Sequence, residues 1–287
     1  MIYLKDISLD EYKELLSELH KHILKIAVEI KRICDENNLQ YFLVGGSLLG
    51  AIRHQGFIPW DDDMDIGLLR DDYEKFLRLC RTELGPEFHL VSTQDEEHYG
   101  LPFAKILLKD TVFLEKSAPN YSCGNGIYVD VFPVDKIPDS AYERKLHNAE
   151  SAFFRYSLLK KSGYRDTNPK MTMKKRVVIT YANAVSREHL IKRMDQVATH
   201  FNKRDTQYYY NTGSAYKYGK EVFPVESLAG ELPEYAFNGI LFKGPKNPEA
   251  ILEMLYGDYM SLPPEDKRYN RHGIVAVDFG SGITKSK

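Results

Sequence analysis

Cysteine is scarce. Cys34, Cys80 and Cys123 are the three in 287 residues, an odd number with no C-x-x-C pair, which argues against both a disulfide framework and a zinc cluster. The cytoplasm is the natural compartment for such a chain. Long apolar runs are also missing. No stretch reaches about 18 consecutive apolar residues, and the first thirty hold too many charges for a signal-peptide core, so membrane contact is expected to be peripheral. Net charge is nearly absent, with 39 Lys and Arg against 41 Asp and Glu, or -2 overall; the global basicity of a nucleic-acid binder is not there. No internal repeat, P-loop or G-x-G-x-x-G fingerprint occurs.

What charge there is lies sorted along the chain. Residues 61–97 carry twelve acids and four bases, whereas 160–204 carry twelve bases and three acids. That pattern predicts a cation site and an anion-facing surface. The basic stretch reads either as solvated helix faces or as a surface for an anionic bilayer or a lipid-linked acceptor.

With 43% hydrophobic residues the chain can bury a sizeable core in one large domain or two smaller ones. Tyr12, Leu15, Leu16, Leu19, Ile23, Ile26, Ile30 and Ile33 recur at three and four, predicting one amphipathic helix from Ser8 or Asp10 to Asn37. A strand "YFLVGG" follows, then Ser47 as the N-cap of a two-turn helix "LLGAIRH". A strand "MDIGLL", a helix from Arg70 to Leu84, and strands at 87–93, 102–108, 111–115 and 126–132 come next. Beyond Pro138 helical periodicity covers 139–163 and 170–203. The tyrosine-rich segment from Asp205 to Pro224 reads as loop, followed by a strand, a helix opened by Pro248 and a mobile tail after Asp278. The expected class is α+β, divided at residues 1–138 and 139–287.

Asp61, Asp62, Asp63 and Asp65 crowd five positions just after Gly45 and Gly46. Like charges this close repel, so something positive belongs among them. A solvated turn is the bland explanation. A calcium loop would need glycine at its sixth position and glutamate at its twelfth, where Ile66 and Asp72 stand. The alternative takes Asp63 and Asp65, two apart at a strand start, as carboxylates on one face. A third carboxylate would come from the apolar run "GIYVDVFPVD", as Asp130 or, less strand-like, Asp135. Asp130 alone in a buried strand would be costly; a shared divalent ion removes that cost, and oxygen-only ligands favour Mg²⁺ or Mn²⁺ over zinc. Gly45-Gly46-Ser47 would let backbone N–H groups approach a phosphate, although by itself it is equally a tight turn with a cap.

Those residues resemble the LicD family of phosphocholine transferases, related to fukutin and fukutin-related protein within the nucleotidyltransferase superfamily typified by DNA polymerase β. "VGGSLLGAIRHQGFIPWDDDMDIGL", "PFAKILLKDTVFLE", "GIYVDVFPVD" and "FKGPKNPEAILEMLYGDYMSLPP" carry the resemblance, across roughly residues 25–272. The zinc-binding insertion of fukutin-related protein has no counterpart, which favours a bacterial-type transferase. The resemblance implies a polymerase β-like mixed sheet flanked by helices, with a mainly helical second half that completes the cleft. It implies transfer of phosphocholine from CDP-choline to a glycan hydroxyl, in a teichoic-acid or lipooligosaccharide precursor, with release of CMP. Asp63, Asp65 and Asp130 would hold Mg²⁺ or Mn²⁺, and Asp61 would orient or deprotonate the acceptor or merely cap its loop.

Other candidates are ambiguous on sequence alone. Lys105 reaches a phosphate or only solvent; Arg53 and His54 touch substrate or end a helix. Trp60 stacks on cytosine or encloses a quaternary ammonium, or packs the loop. His272 resembles a family position near the end, with a stabilising role as the plainer reading. Transfer of ribitol or glycerol phosphate, a nucleotidyl transfer releasing pyrophosphate, and a non-catalytic binding module are the competing functions.

Overall fold

The structure, a computed structural model, describes residues 1–4, 7–115, 125–164, 170–214, 216, 218–268 and 273–280. Cys123, His272 and the tail from residue 281 lie outside the described residues.

Helix α1 (Leu9–Glu36) opens on a capping box. Ser8 Oγ accepts the Glu11 N–H at 3.3 Å and the Glu11 carboxylate accepts the Ser8 N–H at 2.8 Å. Its apolar face, Leu15 through Ile33, is buried against the sheet, and Asn37 caps its end.

The first half supplies β1 (Ile2–Tyr3), β2 (Tyr41–Leu43), α2 (Gly45–His54), β3 (Asp65–Leu69), α3 (Arg70–Glu83), β4 (Phe88–Val91), β5 (Ala104–Leu108) and β6 (Val112–Glu115). Strand β7 (Tyr128–Ile137) leads into α4 (Ala141–Lys161), α5 (Met173–Ala184) and α6 (Arg187–Thr199). The remainder comprises β8 (Tyr208–Asn211), β9 (Val222–Pro224), β10 (Glu234–Phe237), β11 (Ile240–Lys243), α7 (Pro248–Tyr256) and β12 (Ile274–Asp278).

The main sheet runs β2-β3-β7-β5-β4, with β8 pairing β7 and β9 pairing β8. Only β3 and β7 run parallel in it; the other pairings are antiparallel. Helices α1 and α3 cover it, so the architecture is a mixed sheet flanked by helices, an α+β fold. Strands β1, β12 and β6 form a second antiparallel sheet, and β10 and β11 a hairpin. Phe154 and Leu158 of α4, Ala182 of α5, and Leu190, Met194 and Val197 of α6 build a separate apolar cluster.

Several expectations need correction. The helix expected over 170–203 is two helices, because Ser186 starts a new one by accepting the His189 N–H at 3.1 Å. The tyrosine-rich segment is not all loop: Tyr208, Tyr209 and Tyr210 form β8 against Ile137, Lys136 and Asp135. Strand β7 also runs past its expected end at 132, straight through Pro133. Strand β5 stops pairing at Val131 and β8 begins at Val134, so proline falls in the gap between two neighbours, where one edge asks for no ladder hydrogen bond. Ser47 is not the N-cap of α2. Val44 holds that place, its carbonyl accepting the Leu48 N–H at 3.1 Å, and Gly45 begins the helix at φ +53°, a left-handed conformation that suits glycine.

Candidate active site

Strands β3 and β7 set the site. Their parallel register places Asp65 beside Asp130, and the Asp130 N–H continues the ladder to the Met64 carbonyl at 3.0 Å. On the other edge of β7, Lys105 is the register partner of Asp130. Its Nζ lies 3.0 Å from the Asp130 carboxylate and 3.1 Å from the centroid of the Tyr128 ring. Asp130 and Lys105 are both buried. Lys105 is thus a strand lysine turned inward onto the Asp130 carboxylate and an aromatic face.

The other aspartates sit on the turn before β3. Carboxylate oxygens of Asp61, Asp62 and Asp63 lie within 4.8 Å of one another. Asp62 is the most buried of the three; sequence reasoning passed over it in favour of the Asp63 and Asp65 alternation. The strand starts at Asp65, so Asp63 belongs to the turn. Helix α1 braces this turn. His20 stacks on Phe57 at 4.0 Å and 3° and reaches the Asp61 carbonyl at 2.7 Å through Nε2. A carbonyl only accepts, so Nε2 carries the proton. Burial holds the His20 pKa below the usual histidine range, which keeps the ring neutral.

Across from the aspartates, the start of α2 is built to be approached. A β-carbon on Gly46 would stand 2.9 Å from Asp61 Oδ2, and one on Gly45 3.3 Å from Asp65 Oδ2 and 3.4 Å from Glu221 Oε1. The two glycines thus make room for carboxylates of the chain itself. Ser47 Oγ accepts the Asp65 N–H at 2.8 Å, so its hydroxyl positions the next strand.

Glu221, just before β9, was missed by sequence reasoning, and nothing around it in the sequence gives it away. It is buried, with Ser214, Asn211 and the Gly45 backbone amide as polar neighbours that favour its ionised form. Burial nevertheless pushes its pKa up to about 7. Tyr216 touches the same place, its ring 3.8 Å from the position of a Gly45 β-carbon, and its hydroxyl is hydrogen-bonded to that of Tyr256. Tyr216 also lines a cavity between the sheet and the α4–α6 helices, together with Arg155, Ser151, Tyr210 and Tyr218.

Three further sequence candidates have partners outside the carboxylate cluster. Arg53 donates to the Tyr259 carbonyl at 2.6 Å and to His54 at 2.9 Å, tying the end of α2 to the loop after α7. Trp60 is half-buried with Arg268 stacked over its ring at 5.5 Å. Asp135, the second-choice ligand, is five residues from Asp130 in one strand and so projects to the other face. There it pairs with Arg70 at 2.9 and 2.5 Å and accepts from Asn202 at 2.7 Å; it is not part of the cluster.

Among the described residues the carboxylates that converge as a donor set are Asp61, Asp62 and Asp63, all oxygen and all anionic, the chemistry that suits a hard divalent cation such as Mg²⁺ or Mn²⁺; Asp65 and Asp130 stand in register beside them, outside that group.

Residues 38–175 match the family described as LicD/FKTN/FKRP, nucleotidyltransferase domain. The lipopolysaccharide cholinephosphotransferase LicD of Haemophilus influenzae is 25% identical over 243 residues, spanning 84% of this chain and 89% of that protein. The ribitol 5-phosphate transferase FKRP of Homo sapiens is 34% identical over 101 residues, which cover 35% of this chain and 18% of that protein. An uncharacterized protein of Rickettsia prowazekii matches at 26% over 126 residues, 44% of each chain.

Proposed function

We propose a reaction for a chain that belongs, through its nucleotidyltransferase domain at residues 38–175, to the LicD/FKTN/FKRP family: it is a phosphotransferase that moves phosphocholine from CDP-choline to a hydroxyl of a cell-surface glycan precursor, a teichoic acid or lipooligosaccharide, and releases CMP. The observation that carries the reading is the pairing of Asp65 with Asp130 across β3 and β7, beside the Asp61–Asp63 turn. Similarity to the Haemophilus protein along most of both chains supports choline as the alcohol.

Asp63, Asp65 and Asp130 would hold Mg²⁺ or Mn²⁺, which would neutralise charge on the donor diphosphate and on departing CMP. Asp61, which lies against Gly46, would orient the attacking hydroxyl and accept its proton. The hydroxyl oxygen bonds to the choline-bearing phosphorus, and the bond from that phosphorus to the bridging oxygen breaks, its electron pair leaving with CMP. Lys105 holds the Asp130 carboxylate in place through its ammonium group. Gly46 and Ser47 lie where backbone donors would meet the diphosphate. Residues 1–138 form the catalytic core on this reading, and 139–287 complete the cleft; Tyr216 and Glu221 reaching Gly45 support that division. Trp60 and Arg53 would act only at its margin.

The experiment is calorimetry with Mg²⁺ and CDP-choline, CDP-ribitol, CDP-glycerol, CTP and ATP, followed by product analysis. Selective CDP-choline binding with CMP release supports the reading. A preference for CDP-ribitol, which similarity to FKRP brings into view, changes the alcohol and keeps the chemistry. Release of pyrophosphate from a triphosphate makes the chain a nucleotidyltransferase and removes the distal-phosphate step.

Among the described residues no helix is long and apolar enough to cross a membrane. Access to a lipid-linked acceptor would therefore use a surface contact at the inner face of the plasma membrane. Exposed Met173 and Val177 on α5, beside Lys174 and Arg176, suit it. Sedimentation with anionic liposomes that leaves the protein in the supernatant removes this part.

A further inference from the structure

The N-terminus of α2 is the place where sequence reasoning expects a phosphate, since the first N–H groups of a helix point outward with no partner of their own. In this chain an internal carboxyl group is already there. Glu221 is buried and its Oε1 stands 3.4 Å from where a β-carbon of Gly45, the first helical residue, would be, with Asn211, Ser214 and the Gly45 amide as the polar groups that favour its ionised form. Asn211 ends β8, and Ser214 closes the turn after it by donating its N–H to the Asn211 carbonyl at 3.1 Å. The Asn211 side chain also accepts the Gly213 N–H at 3.0 Å. Glu221 thus stands beside a hydrogen-bonded turn that ends β8, with its Oε1 against Gly45. Asp65 Oδ2 approaches the same flank of Gly45, 3.3 Å from that β-carbon position.

We propose that Glu221 is a positioning residue that seats the Gly45–Gly46 turn against Asp65 and Asp61, and that it takes the helix-terminal niche itself, so that the donor diphosphate is received on the aspartate side and not by the Gly45 amide. The activity arm of this proposal rests on the transferase reading above; its structural arm does not.

Three consequences separate it from a merely packed glutamate. A side chain that keeps an acceptor oxygen at the same reach should serve, so Glu221→Gln should retain kcat within about threefold. Glu221→Ala and the shorter Glu221→Asp release the Gly45 N–H, let the turn drift from Asp65, and should lower kcat by about tenfold or more at nearly unchanged donor KM. With the niche empty, Glu221→Ala should also expose a helix terminus to anions.

The test uses the full chain. Turnover of the CDP-linked alcohol that binds, thermal midpoint, and the amide resonance of Gly45 with and without inorganic phosphate are measured for wild type and the three variants. Expected are a Gly45 amide that moves with phosphate in Glu221→Ala alone, and the kcat order wild type, Gln, then Asp and Ala. If Glu221→Ala does not fold, Glu221→Asp decides. Turnover within twofold of wild type in a folded Ala or Asp variant overturns the proposal, as does Glu221→Gln falling as far as Glu221→Ala. Wild type that binds and moves the Gly45 amide with phosphate also overturns it. Should wild type turn over no CDP-linked alcohol, the proposed reaction fails while the amide readout still judges Glu221.

Discussion

Ser47 Oγ accepts the backbone N–H of Asp65 at 2.8 Å, a bond that joins the first turn of α2 to the first residue of β3. It anchors the one aspartate that stands in strand register with Asp130. Ser47 is buried, so Ser47→Ala leaves the Asp65 N–H without this acceptor at a cost of about 1–3 kcal/mol. The urea midpoint should fall accordingly, and turnover per folded molecule should fall as well, because Asp65 loses its fixed backbone. A variant with lowered stability but undiminished kcat makes the bond structural only.

Gly46→Ala tests the neighbouring contact in the opposite sense. Gly46 lies inside α2 with ordinary helical handedness, unlike Gly45, and alanine in a helix interior is favoured over glycine by up to about 1 kcal/mol. The new β-carbon would nevertheless stand 2.9 Å from Asp61 Oδ2, and the carboxylate is the group that yields. We expect an unchanged or slightly raised thermal midpoint together with reduced turnover. Wild-type kcat in this variant would remove Asp61 from the chemistry.

These contacts mark how far the sequence could be read. The acidic run, the isolated Asp130 and the glycine pair were visible because charge cost acts locally, whereas strand period was carried too far in putting Asp63 on β3, which starts at Asp65. Lys105 was visible as a strand lysine, but not its partner, since antiparallel register with β7 is a property of the folded sheet. Glu221 and Tyr216 approach Gly45 from a segment more than 160 residues away, and nothing in their neighbours announces a buried carboxyl. Ser47 misled because a hydroxyl at a strand-to-helix turn looks like a cap; here Gly45 at positive φ starts the helix earlier and frees the hydroxyl for Asp65.

Asp130 and Asp135 should part company under mutation. Asp130→Asn keeps the side-chain volume and is expected to abolish turnover and weaken Mn²⁺ binding, and it lowers stability as well because it takes the charged partner from the buried Lys105. Asp135→Ala strands Arg70, whose guanidinium is mostly buried against it, and removal of one partner of a buried pair costs about 3–5 kcal/mol. Denaturant unfolding and Mn²⁺ titration on both variants check this. An Asp135→Ala protein that folds normally and loses metal would exchange the two assignments.

The α4–α6 region carries its own pH signature. His147 is buried, with Nε2 at 3.0 Å from the Val197 carbonyl and Nδ1 at 2.7 Å from the Tyr218 hydroxyl. Nε2 therefore donates and Nδ1 accepts in the neutral ring. Burial lowers its pKa below 6.5, against smaller raising effects of the Val197 carbonyl, Asp135 and Glu150, while His200 also lowers it. A histidine held neutral in the native state binds fewer protons than the unfolded chain once pH drops below about 6.5. Its contribution to stability is thus complete above that pH and is lost as pH falls toward the depressed native value, at no more than about 1.4 kcal/mol per pH unit. Unfolding free energy measured from pH 7.5 to 5 should decline more steeply for wild type than for His147→Gln, which is weaker at pH 7.5 but has no proton to gain. Parallel curves for the two proteins would mean that His147 titrates alike folded and unfolded, and that its two hydrogen bonds do not hold it neutral.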